Sequence, residues 1–153
     1  MKKKVMLMMA MILLLGACGT SSSKKEKQKD IVCTYTTDGI TGEFKIVPDG
    51  DKIKTMIISV PLSLEEAGLV DASEEDIKNF KDVMKSAIDR EGIVSSVDIN
   101  ETEAIMKYEI DVATVEEFPS LMGVGEDGVD EIKKASAKDF AQSLADGLGA
   151  TCK

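Results

Sequence analysis

The residues of this chain that could do chemistry are few, and what is missing narrows the choice as much as what is present. Of 153 residues none is histidine and only three are cysteine, Cys18, Cys33 and Cys152. Without imidazole the chain lacks the usual general base at neutral pH and the usual transition-metal ligand. Ser95-Ser96, Ser120 and Ser136 stand in no nucleophile motif: there is no G-x-S-x-G, and Ser136-Ala137-Lys138 lacks the S-x-x-K spacing. Two acidic stretches, Glu126 to Glu131 and Asp49-Gly50-Asp51, invite a calcium reading. Neither has the alternating oxygen ligands and closing Glu of an EF-hand loop, so the first reads as a helix N-terminal cluster and the second as a turn. Tyr35, Tyr108 and Phe118 are the aromatic residues that could line a groove, with core or edge packing as the alternative. The expectation is a protein without catalytic residues, metal or cofactor.

Cys18 has the most informative surroundings. Lys2-Lys3-Lys4 is followed by the apolar run Val5 to Leu15, then by Gly16 and Ala17. That is the anatomy of a secretory signal peptide. From Val5 through Cys18 there are 14 residues, short of the ~20 needed to cross a bilayer as a helix. An uncleaved anchor and ordinary secretory cleavage are the alternatives. Leu15-Gly16-Ala17-Cys18 resembles the lipobox of bacterial lipoproteins, which implies that the Cys18 thiol takes a diacylglyceryl group and becomes the mature N-terminus. The expected layout is a signal peptide over 1–17, a lipidated flexible linker over 18–30 and one domain over 31–153. The expected location is the cell membrane, lipid-anchored and facing away from the cytoplasm, with the outer membrane as an alternative where the source has one.

With Cys18 given to lipid, Cys33 and Cys152 form an even pair in an oxidising compartment. They read as a disulfide, with two free buried thiols as the alternative. No CxxC redox motif is present.

Charge divides the chain in the same place. Residues 1–30 hold seven lysines, whereas residues 31–153 carry 12 basic and 26 acidic groups, a net charge of −14. A domain of that sign repels nucleic acid phosphates and anionic head groups, so nucleic acid is not an expected partner. The expected partners are the membrane, through Cys18, and an envelope protein or small ligand.

The elements that must position these residues read clearly. Ile31 to Thr37, Ile40 to Val47 and Lys52 to Val60 are strands, separated by the turn signals Asp38-Gly39 and Pro48-Asp49-Gly50-Asp51. In the third, Ile53, Thr55 and Ile57 face opposite Lys54, Met56 and Ile58, and Pro61 is expected to end it. Ser73 with Asp76 is a capping box opening a helix whose inner face is Ile77, Phe80, Met84, Ala87 and Ile88, with Gly92 as its C′ residue. Ile93 to Ile99 and Glu103 to Val112 form a further strand pair; in the second, Ala104, Met106, Tyr108 and Ile110 share one face. Thr114 to Glu117 reads as a short helical turn, Gly123 to Gly128 as loop, and Ser136 to Gly147 as a last helix with Phe140 and Leu144 inward. The fold class is α+β: an antiparallel sheet of about five strands with two main helices on one face, in the order βββαββ, short helix, α.

On this layout the chain resembles the YehR-like lipoproteins, an uncharacterised bacterial family of similar length. The likeness rests on Cys18 in its lipobox, the hairpin at Pro48-Asp49-Gly50-Asp51, the capped helix from Ser73, the run AIMKYEIDV from Ala104, and the closing helix from Ser136-Ala137-Lys138-Asp139 to Gly147. Cys33 and Cys152 are a departure from the family pattern. The resemblance implies fold and location and brings no established activity. Function is therefore expected to be a non-catalytic binding or accessory module; the alternative is a structural or stress-related envelope lipoprotein without a small-molecule ligand.

Overall fold

A computed structural model describes residues 28–37, 39–118 and 128–153. The lipobox, Cys18, most of the linker, Asp38, and the stretch 119–127 with Glu126 and Asp127 lie outside the described residues. Strands β1 (Ile31–Thr37), β2 (Ile40–Asp49) and β3 (Lys52–Ser63) are followed by α1 (Glu74–Ile88), β4 (Ile93–Ile99) and β5 (Glu103–Asp111). Then come α2 (Gly128–Lys134), α3 (Ala137–Leu148) and a two-residue strand β6 (Thr151–Cys152). All pairings are antiparallel and the sheet order is β4-β5-β3-β2-β1-β6. The α+β class and the antiparallel sheet are as expected; the sheet has six strands rather than five.

Register shows how one face becomes the core. Ile31 pairs with Ile46, Ile46 with Met56, Met56 with Ile110 and Ile110 with Ile93, so one apolar row crosses five strands. Ile46, Ile93 and Ile110 are fully buried and Met56 nearly so. Ile88 of α1 and Ala137, Ala141 and Leu144 of α3 close over this row. The opposite sheet face carries Thr34, Glu43, Lys45, Ser96, Asp98, Lys107 and Glu109, the wet side that the alternation of β5 demands.

Several boundaries and one strand facing differ from expectation; α1 itself ends on Asp89 in an extended conformation, short of Gly92. β3 runs through Pro61 to Ser63, because β2 stops pairing with it at Ser59. Beyond Ser59 β3 is an edge on that side, where a missing N–H leaves no ladder bond unmade. Ile53 is buried alongside Met56, not opposite it, because Val47 pairs with Thr55 but Pro48 with Ile53, leaving Lys54 as a bulge. The short helix lies at Gly128–Lys134 and not at Thr114, with Asp130 and Glu131 in its first turn. Instead of nucleating a helix, Val115 donates its N–H to the Asp111 carbonyl at 3.0 Å and buries its side chain. The last helix continues past Gly147 to Leu148 and ends on Gly149, whose φ of 65° makes it the cap.

The capping box is formed as read: the Ser73 backbone N–H donates to Asp76 Oδ2 at 3.0 Å, and the Asp76 N–H donates to Ser73 Oγ at 3.2 Å. Hydrogen bonds from the Ser73 hydroxyl, then from its backbone, hold the Asp76 carboxyl below the ordinary range. A depressed folded-state pKa contributes stability at neutral pH that is lost as pH falls through the folded value. Amide exchange at Ile77 and Lys78 is therefore expected to quicken below about pH 4, and less so in Asp76→Asn. Identical profiles in the two proteins would remove the cap from the account.

Candidate functional site

The row from Ile31 to Ile93 lies toward one end of the core face, and Cys33, Gly42 and Ala104 are buried further along it. That end holds the start of β1, where the chain enters at Asp30, and the carboxyl terminus, since Val32 and Lys153 exchange backbone hydrogen bonds at 3.1 and 2.9 Å. Cys33 and Cys152 are directly paired across β1 and β6 and joined by a disulfide. Cys33 is wholly buried and belongs to the core. The bridge fastens the tail to the sheet, and α3 with it.

Further along, the same face is apolar and its larger side chains are half-buried. Continuing the register, Tyr35 lies opposite Gly42, Phe44 opposite Cys33 and Ile58, and Ile58 opposite Tyr108; Val60 then pairs with Met106 and Met106 with Val97. All of these except Cys33 and Gly42 are partly exposed. Helix placement explains the exposure. α1 lies against β4, α3 against β1 and β2, and α2 against β3. α2 meets β3 at the entry end, where Lys52 donates to the Lys134 carbonyl. The half-buried side chains make up one apolar patch, the trough, at the sheet positions between those that carry α1 and α3.

Each of these two helices is fixed by identifiable contacts. α1 is held on β4 by Asp89, whose Oδ1 accepts from the Ser95 N–H at 2.6 Å and from the Ser95 hydroxyl at 2.7 Å. Arg90 reaches back to the carbonyls of Ala87 and Ile88 and pairs with Glu117 at 3.2 Å, satisfying the end of α1. α3 starts where the Ala137 N–H donates to the Asp51 carbonyl at 2.8 Å. The turn Asp49-Gly50-Asp51 thus serves as a seat for α3. No group of three or more Asp, Glu or Cys side chains among the described residues is placed to hold a metal ion.

Two phenols supply the polar groups of the trough. Tyr35 stacks at a tilt on Phe44 with ring centroids 5.3 Å apart. Burial pushes the Tyr35 hydroxyl up from its ordinary range. Burial does the same to Tyr108, and the nearby Tyr35 adds to it. Both phenols are therefore neutral donors at any physiological pH. Among the described residues, the Tyr108 hydroxyl donates to Met106 Sδ at 3.5 Å. An apolar floor with a few convergent polar groups is the usual composition of a small-ligand or side-chain pocket.

The sequence singles out Tyr35 and Tyr108, and the structure brings them onto one floor. Phe118 packs partly against the core. Gly42 is the residue the sequence reading passes over. A Cβ there would lie 2.4 Å from the Tyr35 ring, which occupies the space a side chain would take. The only advance signal is a glycine inside a strand. Gly42→Ala is expected to expel the Tyr35 ring, shifting the Phe44 ring resonances and costing about 1–3 kcal/mol. An unchanged aromatic spectrum would show that the ring does not depend on Gly42.

The fold has solved counterparts. No family model matches the chain, and no curated protein does. The NMR structure of the Escherichia coli YehR protein matches with a TM-score of 0.57 at 16% identity, covering 82% of this chain and 91% of that one. An NMR structure of a protein from Streptococcus pneumoniae matches with a TM-score of 0.54 at 12% identity, covering 90% and 93%. The chain therefore has a YehR-like fold.

Proposed function

We propose that the protein is an extracytoplasmic lipoprotein of the YehR-like kind, held to the membrane by lipid on Cys18, whose domain is a non-catalytic binding or accessory module. The observation that carries the binding part is that Tyr35, Phe44 and Tyr108 share one sheet face and stay half-buried, whereas Ile46 and Ile110 on the same face are fully buried. The anchor is supported by the n-region, the apolar run and the lipobox. The way the chain enters the domain also fits a tether: Asp30 pairs with Lys45 at 2.8 Å beside the start of β1, leaving the trough at the opposite end, away from the membrane.

Cys18→Ala is expected to move the protein from the membrane pellet to the soluble fraction and to abolish the acyl mass increment. Acyl chains contribute ~0.8 kcal/mol per buried methylene, so the change should be close to complete. A variant still pelleting with membranes and carrying no acyl mass overturns the anchor. For the trough, methyl NMR of Ile58 and Met106 is titrated with indole, a neutral aromatic probe. Saturable shifts confined to these methyls support the site, and their absence overturns it.

A further inference from the structure

We infer that the cleft where β2 and β3 separate binds a guanidinium group. This site lies apart from the aromatic patch and goes beyond the function proposed above. Its origin is one missing rung of the sheet. The ladder between β2 and β3 ends with Glu43 paired to Ser59, and the next rung would set Thr41 against Pro61. Backbone direction follows from the outer edge of β1. Val32 exchanges both hydrogen bonds with Lys153, so Val32, Thr34 and Thr36 face outward and the residues between them face β2. Cys33 pairs with Phe44, so Thr41 and Glu43 turn their N–H and C=O towards β3, and the backbones of Ser59 and Pro61 turn towards β2. Pro61 has no N–H to give the Thr41 carbonyl, and its ring takes the place of the donor. An open cleft of about 470 Å³ lies there, lined by Ile40 and Thr41 on one side and by Pro61 to Ser63 on the other.

Charge selects the ligand. Glu66, Thr102 and Glu103 complete the lining of the cleft, and no Lys or Arg is among its described residues. Glu66 Oε2 accepts from the Ser63 hydroxyl at 2.7 Å and from the Ser63 N–H at 2.9 Å. These bonds hold its carboxyl below the ordinary range, so it is ionised at neutral pH. Glu103 stands directly opposite Ser63 on β5. Neither carboxylate is ion-paired with a described Lys or Arg. The cleft thus sets two carboxylates on the β3 and β5 side against the Thr41 carbonyl on the β2 side. A ligand that answers them carries positive charge and several N–H groups. No third Asp, Glu or Cys among the described residues completes a metal-binding group with the two glutamates. A guanidinium presents five N–H donors in a fixed plane, which suits acceptors on both sides of a slot between strands. An ammonium is a compact point charge and reaches fewer of them at once. The net charge of −14 over residues 31–153 adds a field that draws cations in.

The test uses the full chain in zwitterionic nanodiscs, with empty nanodiscs as reference, and follows backbone amides by NMR. Ethylguanidinium is expected to shift the Thr41, Ser63 and Thr102 amides saturably, and butylammonium to bind about tenfold more weakly. Glu66→Gln/Glu103→Gln is expected to weaken ethylguanidinium about tenfold, its spectrum without ligand verifying the fold. Pro61→Val supplies the missing N–H; it is expected to slow amide exchange at Thr41 and to abolish binding as the cleft closes. A capped glycyl-arginyl-glycine peptide separates the sources of the group. Binding as tight as ethylguanidinium or tighter assigns the cleft to an arginine side chain of a polypeptide, and weaker binding assigns it to a small free guanidinium. No saturable shift, or unchanged binding in the double glutamine variant, overturns the site. Equal binding of the two cations overturns the choice of guanidinium. If exchange at Thr41 slows in Pro61→Val while binding persists, the missing rung is overturned as the place of binding. If exchange there is unchanged, the part given to the proline is overturned.

Discussion

Removing the disulfide, as Cys33→Ala/Cys152→Ala, is expected to lower the unfolding free energy by about 3–5 kcal/mol and the melting temperature by about 10–15 °C. The bridge joins residues 119 apart in sequence. Closing a loop of that length removes much of the freedom of the unfolded chain, about 5 kcal/mol in the chain-entropy model, and native-state adjustments reduce that figure. Two structural losses follow. β6 is only Thr151 and Cys152, too short to hold the edge of β1 by its own ladder. Ala150 and Leu144, buried near the tail, depend on that attachment for their place in the core. The measurement is guanidinium unfolding of both proteins, where the variant should show a lower midpoint and a steeper slope as its denatured state expands. A loss below about 1 kcal/mol would show that the tail holds its place without the bridge.

Gly92→Ala is expected to cost on the order of 3 kcal/mol, against about 1 kcal/mol for Gly50→Ala. Both glycines have left-handed backbones, with φ of 78° and 64°. A Cβ on Gly50 meets nothing within 4 Å, so strain alone is added there. On Gly92 it would lie 2.4 Å from the Val115 nitrogen and 2.6 Å from its Cα, backbone atoms that cannot swing aside. Moving them breaks the Val115-to-Asp111 hydrogen bond and opens the pocket around the Val115 side chain, which is 1% exposed. The Gly92 carbonyl also accepts from the Asp111 N–H at 2.8 Å, tying β4 to the end of β5. Chemical denaturation of the two variants side by side separates close approach from backbone strain. Equal losses would mean that the segment around Val115 yields freely.

How much of this architecture could be read in advance depended on how local its cause was. The helix from Ser73 and the alternation of β5 were legible because a capping box and a period of two are written within a dozen residues. Pro61 misled because whether a proline breaks a strand depends on its neighbour: β2 ends its ladder at Ser59, a fact of register. Ile53 and Met56 share a face only through the bulge at Lys54, which a strict period of two cannot produce. Thr114 looked like a cap, but Gly92, 22 positions earlier, makes the room that Val115 fills. β6 had no sequence signal except Cys152. For the site, Tyr35 and Tyr108 stood out as the only tyrosines; that they share a floor with Gly42 and Phe44 follows from pairing across four strands.

The adjacency of the entering chain, the disulfide and the carboxyl terminus bears on how this domain carries load. A pull arriving along the residues before Asp30 reaches Cys33 after only Ile31 and Val32. There the bridge passes it to β6 and α3, while the ladder to β2 shares it along the length of β1. With the bridge closed, peeling β1 away from β2 cannot drag it from the carboxyl-terminal tail. A pull applied at the far end would therefore strain the sheet as a unit, and the start of β1 would be the last part of the domain to lengthen.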